Sequence, residues 1–160
     1  MVFIPRDPVI QNQFLVHDTT AGLAPRPTTM TAGACVALVG DQLVQAVSGS
    51  NTAPYGFLMQ NVKAESSAHP TGFRLPGDLG SSDAFTGDPV GVAHLGIYDT
   101  THYNTGTTYT AGTNLTCGAA GIVTPTGVSE VNSTVVAVAQ NTLAAAAVAA
   151  GQNLRIKLLI

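Results

Sequence analysis

The phrase TAGACVALVGDQLV at 31–44 returns in looser form as TAGTNLTCGAAGIV at 110–123. Each copy opens Thr-Ala-Gly, runs through a short half-apolar stretch, turns at glycine and resumes with an apolar pair. Aligning Gly33 with Gly112 carries the match further. GFLMQNV at 56–62 meets VAVAQNT at 136–142, so Gln60-Asn61 falls on Gln140-Asn141, and the offset moves only from 79 to 80. Each copy then closes on a glycine-started strand, GDPVGVAHL in the first and GQNLRIKLL in the second. One supersecondary unit is therefore written twice, over 31–98 and 110–160. Two hairpin-plus-strand units that share a core imply an all-β fold: a compact β-barrel or sandwich of pseudo-twofold character.

Local signals agree with strands. ACVALVG and DQLVQAVSG flank Gly40-Asp41 as a short hairpin. PYGFLMQNVKA and GDPVGVAHLGIY each follow a proline-containing turn, and the second alternates as a buried strand does. Between them, ESSAHPTGFRLPGDLGSSDAFT holds most of the turn chemistry and reads as a long excursion. Asn104-Thr105-Gly106 reads as a tight turn. At most one short helix is expected, near 141–150, where NTLAAAAVAA offers Asn141 as N-cap and Gly151 as stop.

Residues 1–30 differ from the β domain at 31–160. Prolines at 5, 8, 25 and 27 favour an extended path, while Phe3, Ile4, Val9, Ile10 and Phe14 form apolar clusters. Such an arm needs a surface. Either a neighbouring molecule supplies it, with those five residues as anchors, or the arm folds back over its own domain.

Composition decides which function classes survive. Charged residues are 9% of the chain, against roughly 25% in an ordinary globular protein. Neutral polar groups, including twenty threonines, carry the polarity instead, and these lose less than ions when covered by protein. The six Lys and Arg are scattered and the net charge is −3, so nucleic-acid binding and membrane-surface attraction are not expected. MVFIPRDPVIQNQF has no basic start and apolar h-region, so no secretory signal is expected. In that context the two cysteines, Cys35 and Cys117, are expected as buried reduced thiols rather than a bridge.

No chemistry-bearing motif stands out. His94, Asp99 and His102 could converge, yet they lack the i, i+2 or i, i+4 spacing that puts two imidazoles on one face, so no metal is expected. Asp41, Asp78 and Asp88 sit where an Asx side chain caps its own turn. Glu65 and Glu130 are the only glutamates, Ser66-Ser67 near His69 is loop sequence, and neither cysteine has a neighbouring cation. The expectation is a protein without catalytic residues or cofactor.

Four phrases carry a family resemblance: Ala32-Gly33 entering a hairpin, Pro54-Tyr55-Gly56-Phe57 after a proline turn, Gly87-Asp88-Pro89-Val90 opening a strand, and Ala111-Gly112 as the second copy. Over roughly 31–127 the chain resembles the capsid decoration, or cement, proteins of tailed bacteriophages, the lambda-type head decoration family in the broad sense. The alanine-rich stretch at 143–150 is no part of the resemblance. The resemblance implies a small β-barrel or β-tulip fold and a structural virion protein on the outer surface of the expanded capsid. Its partners would be the major capsid protein and further copies of itself, as a trimer or a dimer. It also implies an arm, here residues 1–30, that adds to capsid strands. The competing expectation is a tail or fibre adhesin or carbohydrate-binding module, with Tyr98, Tyr103 and Tyr109 as its aromatic surface.

Overall fold

The computed structural model describes residues 3–15, 30–39, 42–45, 53–63, 83–85 and 89–160. Its strands in chain order are β1 (Phe3–Leu15), β2 (Cys35–Val39), β3 (Gln42–Gln45), β4 (Pro54–Leu58), β5 (Asn61–Lys63), β6 (Asp83–Phe85), β7 (Pro89–Thr100), β8 (Asn114–Gly118), β9 (Val123–Pro125), β10 (Glu130–Ala139) and β11 (Leu154–Leu159). One α-helix is found among the described residues, α1 (Ala145–Ala149). A curled antiparallel sheet of order β3-β2-β4-β7-β11-β10-β8-β9 forms a half-barrel, and β1 is added along β7. β5 and β6 make a separate parallel pair, tied by Asn61 Nδ2 donating to Asp83 Oδ1 at 3.0 Å and by the Lys63–Asp83 ion pair.

The strand order reads alike from either end. A hairpin (β2–β3 or β8–β9) leads to β4 or β10, then to β7 or β11, and those two meet at the centre. The hydrogen bonds correspond bond by bond. Gly33 N donates to Leu58 O at 2.7 Å, as Gly112 N donates to Ala139 O at 2.7 Å. Met59 N donates to Gly91 O at 2.9 Å, and Gln140 N to Arg155 O at 2.7 Å. Met30 and Val62 exchange two backbone bonds, and so do Tyr109 and Leu143. Gly33 (φ +87°) and Gly112 (φ +88°) occupy the same left-handed turn position, where any side chain would be strained.

These bonds move the internal alignment by one residue. Gln60 Oε1 accepts from Gly91 N at 3.2 Å, the part that Asn141 Oδ1 plays for Arg155 N at 2.8 Å. Asn61 Oδ1 accepts from Ala32 N at 3.0 Å, the part that Thr142 Oγ1 plays for Ala111 N at 3.2 Å. Gln60-Asn61 therefore corresponds to Asn141-Thr142, at an offset of 81 rather than 80. What the two turns share is a pair of side-chain acceptors. An amide in one can be a hydroxyl in the other, so residue identity misleads here.

Each half has its own apolar cluster. Met30, Val36, Leu43, Leu58, Val62, Val90 and Val92 form one. Their counterparts, Tyr109, Leu115, Val123, Ala139, Leu143, Leu154 and Ile156, lie in the other. The halves differ on the opposite face of the sheet. In the first, the cross-strand row Cys35–Phe57–Ala93 is fully buried and belongs to the second half's cluster. In the second, the matching row Asn114–Val138–Lys157 lies at the surface, with only Val138 half-buried. Docking is one-way: the outward face of the first half is apolar and covered, and that of the second is polar and wet.

Cys35 and Cys117 form a disulfide across this seam, with Cα atoms 6.4 Å apart, correcting the expectation of reduced thiols. That expectation rested on the compartment implied by the N-terminus. The docking of the halves is a long-range event that no local pattern reports. Nor is Asn141 the helix N-cap: Ala144 holds that position without a side-chain bond, and the Asn141 amide instead donates to Asn153 O at 3.1 Å. Gly151 (φ +65°) does stop the helix, its N–H donating to Val148 O at 3.0 Å.

Candidate functional site

The proposed arm comes first. β1 runs antiparallel to β7 from Phe3↔Thr100 to Leu15↔Pro89, with bulges at the two prolines and at Ile10/Gln11. Phe3 is buried in the main cluster, its ring stacked 4.5 Å from Tyr98 and 6.1 Å from Phe57. That commits Phe3 to its own core and removes it from the set of anchors available to a partner. Ile4, Val9, Ile10 and Phe14 lie on the same strand, where the backbone alone is described. The remainder of the arm, 16–29, lies outside the described residues.

His94, Asp99 and His102 do not converge. Asp99 is buried and accepts from Arg155, Nε to Oδ1 at 2.9 Å and Nη2 to Oδ2 at 3.3 Å, which raises the Arg155 pKa further above its ordinary value. His102 is buried, with Nε2 3.1 Å from Ala120 O, and its backbone N–H donates to Thr100 Oγ1 at 2.9 Å. Burial drives the His102 pKa below its ordinary 6.5, opposed in part by the Ala120 carbonyl. His94 packs edge-on against Tyr55, and its Nε2 is buried without a hydrogen-bond partner. Among the described residues no group of three or more His, Cys, Asp or Glu is placed to hold a metal ion.

The tyrosines expected as a sugar-binding surface are core. Tyr98, Tyr103 and Tyr109 are all buried. Tyr103 donates to Gln152 O at 2.7 Å, and Tyr109 shares its proton between the carbonyls of Asn104 (3.0 Å) and Val123 (3.1 Å). Burial raises the pKa of both phenols. Their rings meet edge-to-face at 5.5 Å. The Thr-rich setting suggested exposure, but Tyr109 is the counterpart of Met30 and fills a core position. The turn at 104–106 does form, with Gly106 N donating to Asn104 Oδ1 at 2.9 Å. Glu130 is likewise structural, its Oε2 accepting from Gly127 N at 2.8 Å and lying 3.2 Å from Thr116 Oγ1. Asp41, Glu65, Ser66, Ser67, His69, Asp78 and Asp88 lie outside the described residues.

Two features were not singled out in the sequence. Leu95 and Leu159 are register partners at the middle of the strand order, exposed by 38% and 47%. Among the described residues they are the large hydrophobics left in water. They are also counterparts of each other, because the offset between β7 and β11 maps Leu95 onto Leu159, so the local twofold passes through this pair. A repeat alignment carried to the closing strands contains this information. The second feature is the 3-10 turn Ala119–Gly121, whose Gly121 packs on the main chain of Cys35. Nothing in the phrase CGAAG announces it.

No protein-family model matches the sequence, and no curated protein matches it. Among the described residues no helix is long and apolar enough to cross a membrane.

Proposed function

We propose that this chain is a structural virion protein that binds the outer surface of an expanded tailed-phage capsid and cements neighbouring capsomers. The partner is the major capsid protein, and the chain acts as a trimer or a dimer on that surface. The observation that carries the reading is the Leu95–Leu159 pair, an apolar contact left in water at the centre of a cross-linked sheet. Lys157 lies beside it on the same exposed face of β11, while charged residues are only 9% of the chain, as suits repeated burial against other protein. Several modest contacts around a shell accumulate avidity, and binding the expanded form alone stabilises that form by mass action. The phrases at 32–33, 54–57, 87–90 and 111–112 lend support by resemblance.

The arm has a changed place in this proposal. Ile4, Val9, Ile10 and Phe14 reach a capsid strand only if β1 leaves β7, so the primary contact is assigned to the leucine pair. The test is a co-sedimentation titration with phage heads stripped of this protein, comparing compact and expanded shells. Saturable binding to expanded heads alone, weakened by Leu95→Asp with Leu159→Asp, is the expected result. Binding to neither shell refutes the cement reading, and binding that ignores the double substitution refutes the leucine contact.

A further inference from the structure

The two halves are one unit written twice, yet one face of that unit is filled in only one of them. In the second half, Cys117, Val136, Ala137 and Leu158 are buried in the cluster that also takes the Cys35–Phe57–Ala93 row, and the disulfide fastens that row in place. The bond-by-bond correspondence of the halves puts Leu38, Tyr55, Gly56 and His94 at these positions in the first half. Among the described residues no such row covers them, and Leu38, Tyr55 and His94 are each only half-buried. Leu38 and Tyr55 rest on the first half's own cluster. The His94 ring stands edge-on to Tyr55, with centroids 4.7 Å apart. It also lies over Gly56, its Cε1 3.3 Å from where a Cβ on that glycine would stand. His94 Nε2 is buried without a hydrogen-bond partner, a state that costs free energy. The matching residue, Leu158, has no polar atom to satisfy, so stability of the free domain does not account for a histidine here.

The same observations say what fits. The row that fills the matching face is uncharged and sets one aromatic ring between two small side chains. A second copy does not supply it. Its Cys35–Phe57–Ala93 row is buried against its own second half, and its other row, Asn114–Val138–Lys157, ends in an exposed ammonium that resists burial. The occupant is therefore a different protein. We propose that Leu38, Tyr55, Gly56 and His94 form a second docking face, which takes an uncharged β-sheet face of the major capsid protein with an aromatic residue set between small ones. Docking shifts the Tyr55 ring and gives His94 Nε2 its hydrogen-bond partner. This inference rests on the cement reading and adds a second contact to the leucine pair, so that one chain holds the shell at more than one point.

The test uses the same titration with stripped heads. Tyr55→Arg is expected to weaken binding to expanded heads about tenfold or more, as loss of an aromatic interface anchor does. His94→Phe keeps a ring against Tyr55 and removes the orphaned nitrogen. Its Tm is expected to match or exceed that of wild type while its binding weakens, a pairing that a purely structural histidine would not give. A photoreactive benzoylphenylalanine in place of Tyr55 is expected to form an adduct with the major capsid protein on expanded heads, identified by peptide mass. If wild type binds those heads but the probe at 55 gives no adduct, or an adduct only with another copy, this face is overturned and the cement reading stands. Full affinity in a folded Tyr55→Arg has the same meaning. Wild type that binds neither shell overturns both.

Discussion

Replacing Phe3 by alanine separates the two readings of the N-terminal segment, because they place the same ring in different surroundings. In the fold described here Phe3 is 7% exposed and stacks on Tyr98 at an interplanar angle of 8°. Truncating a buried phenylalanine costs about 3–5 kcal/mol, and the position of Phe3 at the start of β1 argues for the lower end, about 3 kcal/mol. In a domain of this size each kcal/mol moves Tm by about 2–4 °C, so Phe3→Ala should lower it by about 6–12 °C. Phe3→Leu keeps most of the apolar volume and should cost about 1 kcal/mol, since only the ring contacts are lost. The assay is thermal and urea unfolding of oxidised protein, followed by circular dichroism. An unchanged m-value would mean that β1 still unfolds with the rest, and a reduced one that β1 has come away. A variant with wild-type Tm that has lost its hold on expanded heads would refute the core placement and restore Phe3 as a capsid anchor. Deleting 1–16 does not make this distinction, because it also removes the strand that lines β7.

Further outcomes follow from the polar groups. Arg155→Met leaves the buried Asp99 carboxylate without its guanidinium, whereas Asp99→Asn leaves a half-exposed cation to water. The first should therefore destabilise more than the second in urea unfolding, and the opposite order would refute the assignment of Asp99 as the buried partner. His102 has a folded pKa below its ordinary 6.5, so the folded state favours the neutral ring. Its contribution to stability is full above the unfolded pKa and is lost as pH falls from there through the lower folded value. A pH series of Tm should show this acid-side loss in wild type and a shallower one in His102→Gln, and identical slopes would exclude His102 as the cause.

Much of the fold was legible in the sequence because hairpins and turns are local. Gly33 and Gly112 announce two like turns, and β2–β3, β8 and β11 fall within the stretches read as strands. What was not legible depends on contacts between segments far apart. The pairing of β7 with β11 and with β1 has no local signature, since each strand would pattern the same way against another neighbour. The disulfide follows from that pairing, so its two thiols read as unrelated. Tyr98, Tyr103 and Tyr109 were misplaced for a different reason. Their neighbours Thr101, Thr105, Thr107, Thr108 and Thr110 suggest a wet loop, but each phenol finds a backbone carbonyl inside the domain. A threonine-rich setting describes the other side chains of the segment, not the tyrosines. His94 was a weak ligand candidate by spacing, and in the fold its imidazole meets Tyr55 rather than Asp99.

The same comparison of halves explains why one half docks on the other and the stacking then stops. The first half offers the apolar row Cys35–Phe57–Ala93. The surface that receives it, Cys117, Val136, Ala137 and Leu158, is buried in the same cluster, and β4 packs against β10 there. The counterparts of that receiving surface in the first half are Leu38, Tyr55, Gly56 and His94, of which only Gly56 is buried. A receiving surface thus remains partly open on the first half, while the second half offers Asn114–Val138–Lys157 in place of the apolar row. Lys157 blocks continuation, because covering an ammonium that gains no partner in the contact costs several kcal/mol, more than the extra apolar contact returns. Rewriting the row as Asn114→Ala, Val138→Phe and Lys157→Ala should therefore let the second half of one molecule dock on the first half of the next. Sedimentation velocity should show concentration-dependent species larger than wild type, reversed when Lys157 alone is restored. Tyr55→Arg in the triple variant should also reverse it, by placing a charge on the receiving side. A triple variant that folds, keeps its disulfide and sediments as wild type would show that polarity is not what ends the stack.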